Sequence, residues 1–345
     1  MRPRLLALQT AVPPFALDQD DIATRASHLY QNRGDVERLL PVFLNAGIDR
    51  RYSCVPIDWY ADTHGWRDRT DVYLASAQDL LEKVAEQLIA EAGLARDDID
   101  AIVAVSTTGI ATPSLDALIV ERMQLRRDIK RLPIFGLGCA GGVVGLARAA
   151  DLAMATPGSK VMLLVIELCA LSFRRDDFTK SNIVATALFG DGAAGAILST
   201  DGDGPEIGVG GEHTWPHSLD IMGWDVEEDG LKALFSQSIP GLVSTEFRAV
   251  LDAFLRRSEL NLSDFDSFAC HPGGAKVLDA LEAALDLPAG ALKESRQILR
   301  EYGNMSAVTA LFVLQRILQQ GQAQRILMST LGPGFTAAFL TLNAR

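Results

Sequence analysis

The strongest constraint in this sequence is a strand that must stop at two glycines and restart as a helix within one turn. Pro133-Ile-Phe-Gly-Leu-Gly-Cys139-Ala-Gly-Gly-Val-Val-Gly145 reads as a strand ended by Gly136 and Gly138, with Cys139 presented where a helix opens. That helix runs on to a stop at Pro157-Gly158. Small residues on both sides of the thiol let the backbone approach a ligand closely. A helix N-terminus carries partial positive charge and free N–H groups, which favour a thiolate and a bound oxyanion. The pattern is a nucleophile elbow with cysteine in place of serine. The same residues also suit an inert core thiol among packing glycines.

The remainder of the chain alternates buried strands with amphipathic helices. Asp18-Gln-Asp-Asp opens a helix with acids at its positive end. Apolar residues at helical spacing (Leu74, Leu80, Leu81, Val84, Leu88, Ile89) predict a helix from about Asp71 to Ala92, closed by Gly93. Ala101–Val105 and Lys160–Cys169 read as strands covered on both faces. Asn182–Phe189 reads as a helix, followed by Gly190-Asp191-Gly192 and a strand at Ala193–Leu198. The turn cluster Asp201-Gly-Asp-Gly-Pro205 marks a boundary between halves 1–203 and 204–345. Beyond it, strands are expected at Glu206–Gly210, Phe265–Cys270, Arg325–Thr330 and Ala337–Leu342. Helices are expected at Leu242–Arg257, Ala275–Leu285 and Met305–Gln320. This is the grammar of layered α/β domains.

A net charge of −12 argues against a nucleic-acid or anionic-membrane partner. Cys54, Cys139, Cys169 and Cys270 show no CxxC spacing, which argues against zinc and a disulfide scaffold and fits a reducing cytoplasm. The apolar run at the N-terminus is broken by Gln9 and Pro13-Pro14, so it reads as a first strand rather than a signal peptide. No apolar segment reads as a bilayer span.

Two later junctions carry chemistry. His271 stands in Cys270-His271-Pro-Gly-Gly, at the carboxyl end of a strand, where sites in α/β sheets gather. Asn304 stands in Tyr302-Gly-Asn304-Met-Ser, before an apolar helix; taken alone it reads as a helix cap. His28, His64, His213 and His217 lie in stretches that read as loop or surface. A thiolate at Cys139 can attack an acyl thioester. An imidazole near its ordinary pKa can pair with that thiolate or donate a hydrogen bond. The asparagine amide can join it on an oxygen where charge develops, such as the enolate left when malonyl-CoA loses CO₂. No metal is needed.

Gly-Leu-Gly-Cys139-Ala-Gly-Gly, Ala187-Leu-Phe189-Gly-Asp-Gly-Ala-Ala, Ile239-Pro-Gly, His271-Pro-Gly-Gly, Tyr302-Gly-Asn304-Met-Ser and Leu331-Gly-Pro-Gly334 follow one another in an order that resembles type III polyketide synthases, the chalcone/stilbene synthase superfamily within the thiolase fold. The resemblance implies a homodimer of five-layered αβαβα subunits, each made of two similar α/β halves. It implies an acyltransferase in which Cys139 carries the acyl chain while His271 and Asn304 assist decarboxylation and condensation. Coenzyme A thioesters, malonyl-CoA and acyl-CoA, would be the substrates, with no permanently bound cofactor. Phe189 matches a gatekeeper phenylalanine. A second gatekeeper position holds Ala233, which would widen the entrance unless Phe235 compensates. Gly332 and Gly334 lie in a loop, Thr330-Leu-Gly-Pro-Gly, that lacks the family's aromatic on the far substrate wall. Arg38 matches a coenzyme A contact, while Pro41 and Asn45 replace expected bases.

Glu167-Leu-Cys169-Ala-Leu-Ser172-Phe and Met222-Gly-Trp224-Asp-Val look like bacterial alkylresorcinol and alkylpyrone synthases, which extend long fatty acyl starters. That likeness implies that Cys169, Ser172 and Ser306 line the cavity and that Trp224 lies on its wall. Two other readings share the same residues. One is a chain-initiating ketoacyl synthase making a single condensation with a carrier protein; the other is a non-catalytic thiolase-fold binding protein. Starter length, the number of extensions and the choice between aldol and lactone closure are not encoded in these motifs.

Overall fold

The computed structural model describes residues 2–29, 40–236 and 238–344. Its strands, in chain order, are β1 (Arg4–Ala11), β2 (Phe15–Asp18), β3 (Arg50–Ser53), β4 (Ile99–Ser106), β5 (Lys130–Phe135), β6 (Lys160–Leu168), β7 (Asp191–Ser199), β8 (Glu206–Thr214), β9 (Met222–Glu227), β10 (Gly230–Phe235), β11 (Ser267–Cys270), β12 (Arg325–Gly332) and β13 (Thr336–Asn343). Nine of them form a mixed sheet in the order β11-β12-β13-β8-β1-β7-β6-β4-β5. The β8 to β1 pairing consists of one Cα pair, Arg4↔Glu206, so the sheet behaves as two smaller sheets hinged there.

Side-chain alternation then builds the layers. Ile102, Met162, Leu164 and Ile166 face outward onto the long helix Trp66–Glu91, through its buried Leu81, Val84 and Leu88. Val103, Leu163 and Val165 face inward onto helix Gly141–Ala155 and, with Ile326, Met328 and Leu340 from the other sheet, onto helix Thr309–Gln320. The opposite face of β12 and β13 turns Leu327, Ala337 and Phe339 toward Phe247, Phe254 and Leu281. The result is helix, sheet, helices, sheet, helix. The strands of the middle read as continuous apolar runs because both of their faces are covered. Each Leu or Ile fully withdrawn from water there contributes about 1.5–3 kcal/mol. Helix Gly141–Ala155 belongs to the single apolar stretch, Gly138–Ala155, that is long enough to cross a membrane among the described residues. It is buried between the sheets.

Several elements differ from the sequence expectation. The long helix starts at Trp66, five residues before Asp71. β7 begins at Asp191, two residues before the expected Ala193, because Asp191 is held inside by the N–H groups of Cys54 and Ala170. The stretch expected as one helix from Leu242 to Arg257 has a π turn at Val243–Phe247. The antiparallel pair β2–β3, the hairpin β9–β10 and the helix Lys293–Tyr302 were not expected. In that helix Ile298 and Leu299 are the only buried apolar residues, too short a stripe to read as a period. His28 is on the surface, exposed on helix Gln19–Leu29, and His213 is half-buried in β8.

Candidate active site

At the end of β5 the chain turns through Gly136 and Gly138, makes a 3₁₀ turn over Gly138–Ala140 and enters helix Gly141–Ala155. Gly138 has φ +47°, the left-handed region that favours glycine. Its N–H donates to Thr107 Oγ1 at 3.0 Å, and Thr330 Oγ1 donates to the carbonyl of Cys139 at 2.7 Å. Gly142 has no tolerance for a side chain: a Cβ there would lie 2.0 Å from the carbonyl oxygen of Ala307. The elbow is thereby pressed against the turn Ser306–Val308 that precedes helix Thr309–Gln320.

Cys139 is 5% exposed. Burial pushes its thiol up to about 12; the nearby Ser306 hydroxyl opposes the rise and the Glu167 carboxyl adds to it. The helix N-terminus was expected to favour thiolate, but withdrawal from water outweighs the helix dipole, whose effect spans about 0.3–2 kcal/mol. The resting nucleophile is a thiol.

His271 follows β11, and its N–H donates to the carbonyl of Ser329 at 2.8 Å. Neither ring nitrogen has a hydrogen-bond partner. Burial pulls the imidazole down to about 3, so it is neutral at physiological pH rather than near its ordinary value. Asn304 is buried beside it. Its backbone N–H donates to the carbonyl of Leu188 at 2.8 Å, and its carbonyl accepts from Gly190 N–H at 3.0 Å. Its Oδ1 accepts from Ser306 N–H at 2.9 Å, and its Nδ2 donates to the carbonyl of Gly273 at 3.3 Å. The residue therefore both caps a turn and turns its amide N–H₂ toward the His271 loop.

Cys139, His271 and Asn304 share one cavity of about 460 Å³, with Met222, Phe235 and Val277 on its apolar wall and Asn45, Lys180 and Lys276 among its polar residues. A second cavity of about 400 Å³ lies beneath helix Gln19–Leu29. Cys169, Ser172, Ala185 and Phe189 line it, with Leu17, Ile22, Ala26 and Phe173. Phe189 stacks on Trp224 at 5.8 Å and meets Phe235 edge-on at 5.5 Å, so an aromatic partition stands between the two chambers.

Ala233 does not open the entrance. It is 5% exposed, pairs directly across the β9–β10 hairpin with Trp224 and lies in a buried cluster with Cys169, Ala185 and Phe189, against which Trp224 packs. Gly332 packs against the backbone of Leu137 and Ala140 beneath the elbow, and Gly334 occupies a turn at φ +124°. The cavity wall in this loop is formed by Ser329, Thr330 and Leu331. Arg38 lies outside the described residues.

Glu167 was not singled out for chemistry, although it is the one acid in the apolar run of β6. It is fully buried, and its Oε2 accepts from the N–H groups of Thr107 and Thr108 at 3.1 and 3.0 Å. Oε1 has no partner, and burial raises the carboxyl to about 7. Among the described residues no group of His, Cys, Asp and Glu is arranged to hold a metal ion.

The chain matches the family model for chalcone and stilbene synthases, N-terminal domain, over residues 60–202, and that for the C-terminal domain over residues 206–343. It belongs to the chalcone and stilbene synthase family. It is 35% identical to a putative chalcone synthase of Bacillus subtilis, with 98% of each chain covered. It is 36% identical to a 1,3,6,8-tetrahydroxynaphthalene synthase of Streptomyces peucetius, covering 98% of this chain and 92% of the relative. The crystal structure of the 1,3,6,8-tetrahydroxynaphthalene synthase of Streptomyces coelicolor superposes with a TM-score of 0.95 at 27% identity, covering 99% of both chains. The protein is a type III polyketide synthase with the thiolase-like α/β fold. As such it is an acyltransferase whose substrates are coenzyme A thioesters and whose chemistry needs no resident cofactor.

Proposed function

We propose that this synthase loads a long-chain fatty acyl-CoA starter onto Cys139, extends it with several malonyl-CoA units and closes the product to an alkylresorcinol or alkylpyrone. The observation that carries the long starter is the second, largely apolar cavity of about 400 Å³, lined by Cys169 and Phe189. An acyl tail on a chain of net charge −12 needs such a recess to leave water.

In this reading the neutral His271 imidazole takes the thiol proton as Cys139 Sγ attacks the thioester carbonyl, and coenzyme A leaves with that proton. Malonyl-CoA then loses CO₂. The oxygen of the resulting enolate is held by Asn304 Nδ2 and His271, and its carbon attacks the acyl-cysteine carbonyl, releasing the Cys139 sulfur. Both donors are fixed before the reaction by backbone contacts, which avoids reorganisation in the transition state. Lys180 and Lys276 supply positive charge for the phosphates of coenzyme A.

The same reading divides the chain at residue 203, one half giving Cys139 and the other His271 and Asn304. The single-pair junction Arg4↔Glu206 supports it. Phe135, 59% exposed on the edge strand β5, supports pairing with a second copy. Four free cysteines support a reducing cytoplasm.

The test is product analysis of purified enzyme with malonyl-CoA and a starter panel from acetyl-CoA to stearoyl-CoA, with one aromatic starter. Resorcinols or pyrones formed preferentially from long starters support the reading. Exclusive use of short or aromatic starters refutes it, and a single β-ketoacyl product from carrier-bound malonate moves the chain to single-condensation chemistry.

A further inference from the structure

Arg51 is a cation kept where burial is costly. It stands on the inward side of β3 and is 2% exposed. Asp191 offsets its charge electrostatically, but the oxygens of that carboxylate are taken by the N–H groups of Cys54 and Ala170. Burial pulls the guanidinium down to about 9, so it stays charged at physiological pH. Among the described residues its Nε has no hydrogen-bond partner. A buried cation held on such terms points to a task for the two ends of its fork.

Those ends close the helix Lys180–Leu188. Nη1 donates to the carbonyls of Thr186 and Phe189 at 2.6 and 3.0 Å, and Nη2 donates to Gln19 Oε1. Gln19 Nε2 in turn donates to the carbonyls of Ala187 and Phe43 at 3.1 and 3.0 Å. The remaining carbonyl of this helix end, that of Leu188, accepts from the N–H of Asn304 at 2.8 Å. Carbonyls at a helix end have no partner within the helix, so their outside donors decide where the chain goes next. Just beyond, Gly190 N–H donates to the carbonyl of Asn304 at 3.0 Å. Asn304 thus hangs by both backbone groups from Leu188 and Gly190, on either side of the Phe189 carbonyl that Arg51 grips. The stem of Arg51 closes the same junction. A Cβ on Gly190 would lie 3.2 Å from Arg51 Cβ, and one on Gly303 would lie 3.4 Å from it.

We propose that Arg51 is a positioning residue for Asn304: its fork fixes the carbonyls around Phe189, and that segment sets where the Asn304 amide meets the oxygen of the malonyl-derived enolate. This rests on the reading of Asn304 as a holder of that enolate. Cys139 and His271 are set by other contacts, to Thr107, Thr330 and Ser329. Disturbing Arg51 therefore separates decarboxylation, which needs Asn304, from acyl loading, which needs Cys139 and His271.

The test measures both steps in wild type, Arg51→Met and Arg51→Lys. Decarboxylation is read as CO₂ released from malonyl-CoA without a starter, the enolate taking up a proton to leave as acetyl-CoA. Loading is read as the mass of the Cys139 peptide after incubation with acetyl-CoA, a donor too short to need the second cavity, which Arg51 also lines. Arg51→Met keeps the stem and removes the fork. Its kcat for CO₂ release is expected to fall on the order of ten- to a hundredfold at unchanged KM. Its loading rate is expected to stay within about twofold of wild type. Arg51→Lys keeps the charge and the stem without the planar fork, and is expected to shift the ratio of the two rates in the same direction; it carries the test where Arg51→Met does not fold. A folded variant whose two rates fall together, or whose CO₂ release equals that of wild type, overturns the proposal. A wild type that neither loads Cys139 nor releases CO₂ refutes the functional reading instead.

Discussion

Replacing Glu167 with glutamine tests the burial argument at the site quantitatively. In the folded protein the carboxyl keeps its proton up to about pH 7, whereas the ordinary value is 4.5. Between those values the unfolded chain binds fewer protons than the folded one, so this residue's contribution falls as pH rises. It is fully present below pH 4.5 and lost by about pH 7. From pH 5.5 to 7 the change amounts to about 2 kcal/mol at ~1.4 kcal/mol per unit. For 345 residues that corresponds to about 3 °C in Tm. Glutamine keeps an acceptor for Thr107 and Thr108 and cannot titrate. Any constant cost of its N–H₂ drops out when variant and wild type are compared at each pH. The Tm difference, Glu167→Gln minus wild type, should therefore rise by about 3 °C between pH 5.5 and 7 and then level off to pH 8. Scanning calorimetry of both proteins measures it. A difference that stays constant, or falls with pH, refutes the assignment of a buried neutral carboxyl.

Other perturbations separate the remaining parts of the account. Ala26 is buried on the helix over the second cavity, so Ala26→Phe should lower kcat/KM for palmitoyl- and stearoyl-CoA by about tenfold or more while sparing acetyl-CoA; an equal loss for all starters places the tail elsewhere. Ala233→Phe should overpack against Trp224 and cost about 1–3 kcal/mol, seen as a Tm lower by about 2–4 °C; an unchanged Tm with altered starter preference restores Ala233 to a gate. Because His271 titrates at about 3, it stays neutral as pH falls through 6.5, and the acyl-loading rate should show no acid limb between pH 5.5 and 7; an inflection near 6.5 contradicts the buried neutral imidazole.

The layered fold was legible because its signals are periodic. The long apolar runs of β6 and β7 and the stripe through Leu81, Val84 and Leu88 dictate which faces are covered, and those choices leave few ways to stack the elements. The junctions holding Cys139, His271 and Asn304 were legible because glycines mark where the backbone turns sharply. What sequence did not convey is distance and burial. The pairing of Ala233 with Trp224 depends on the β9–β10 hairpin, whose half-exposed strands lack a clean alternation. The neutral states of Cys139 and His271 follow from the depth of the cavity, which no local motif reports. Ser306 was expected on a cavity wall; its place on the turn beneath the elbow depends on a φ value and on the backbone meeting of Gly142 with Ala307. Glu167 carried a readable signal, an acid inside an apolar strand, because a buried carboxylate needs a reason to be there.

The most direct measurement of the central claim is the mass of the protein after incubation with palmitoyl-CoA, with and without malonyl-CoA, and with the modified peptide sequenced. The account predicts one palmitoyl adduct per chain on Cys139, absent from Cys139→Ala and discharged into a lipid-soluble polyketide when malonyl-CoA is added. An adduct on Cys54, Cys169 or Cys270, or an adduct on Cys139 that malonyl-CoA does not discharge, would contradict it.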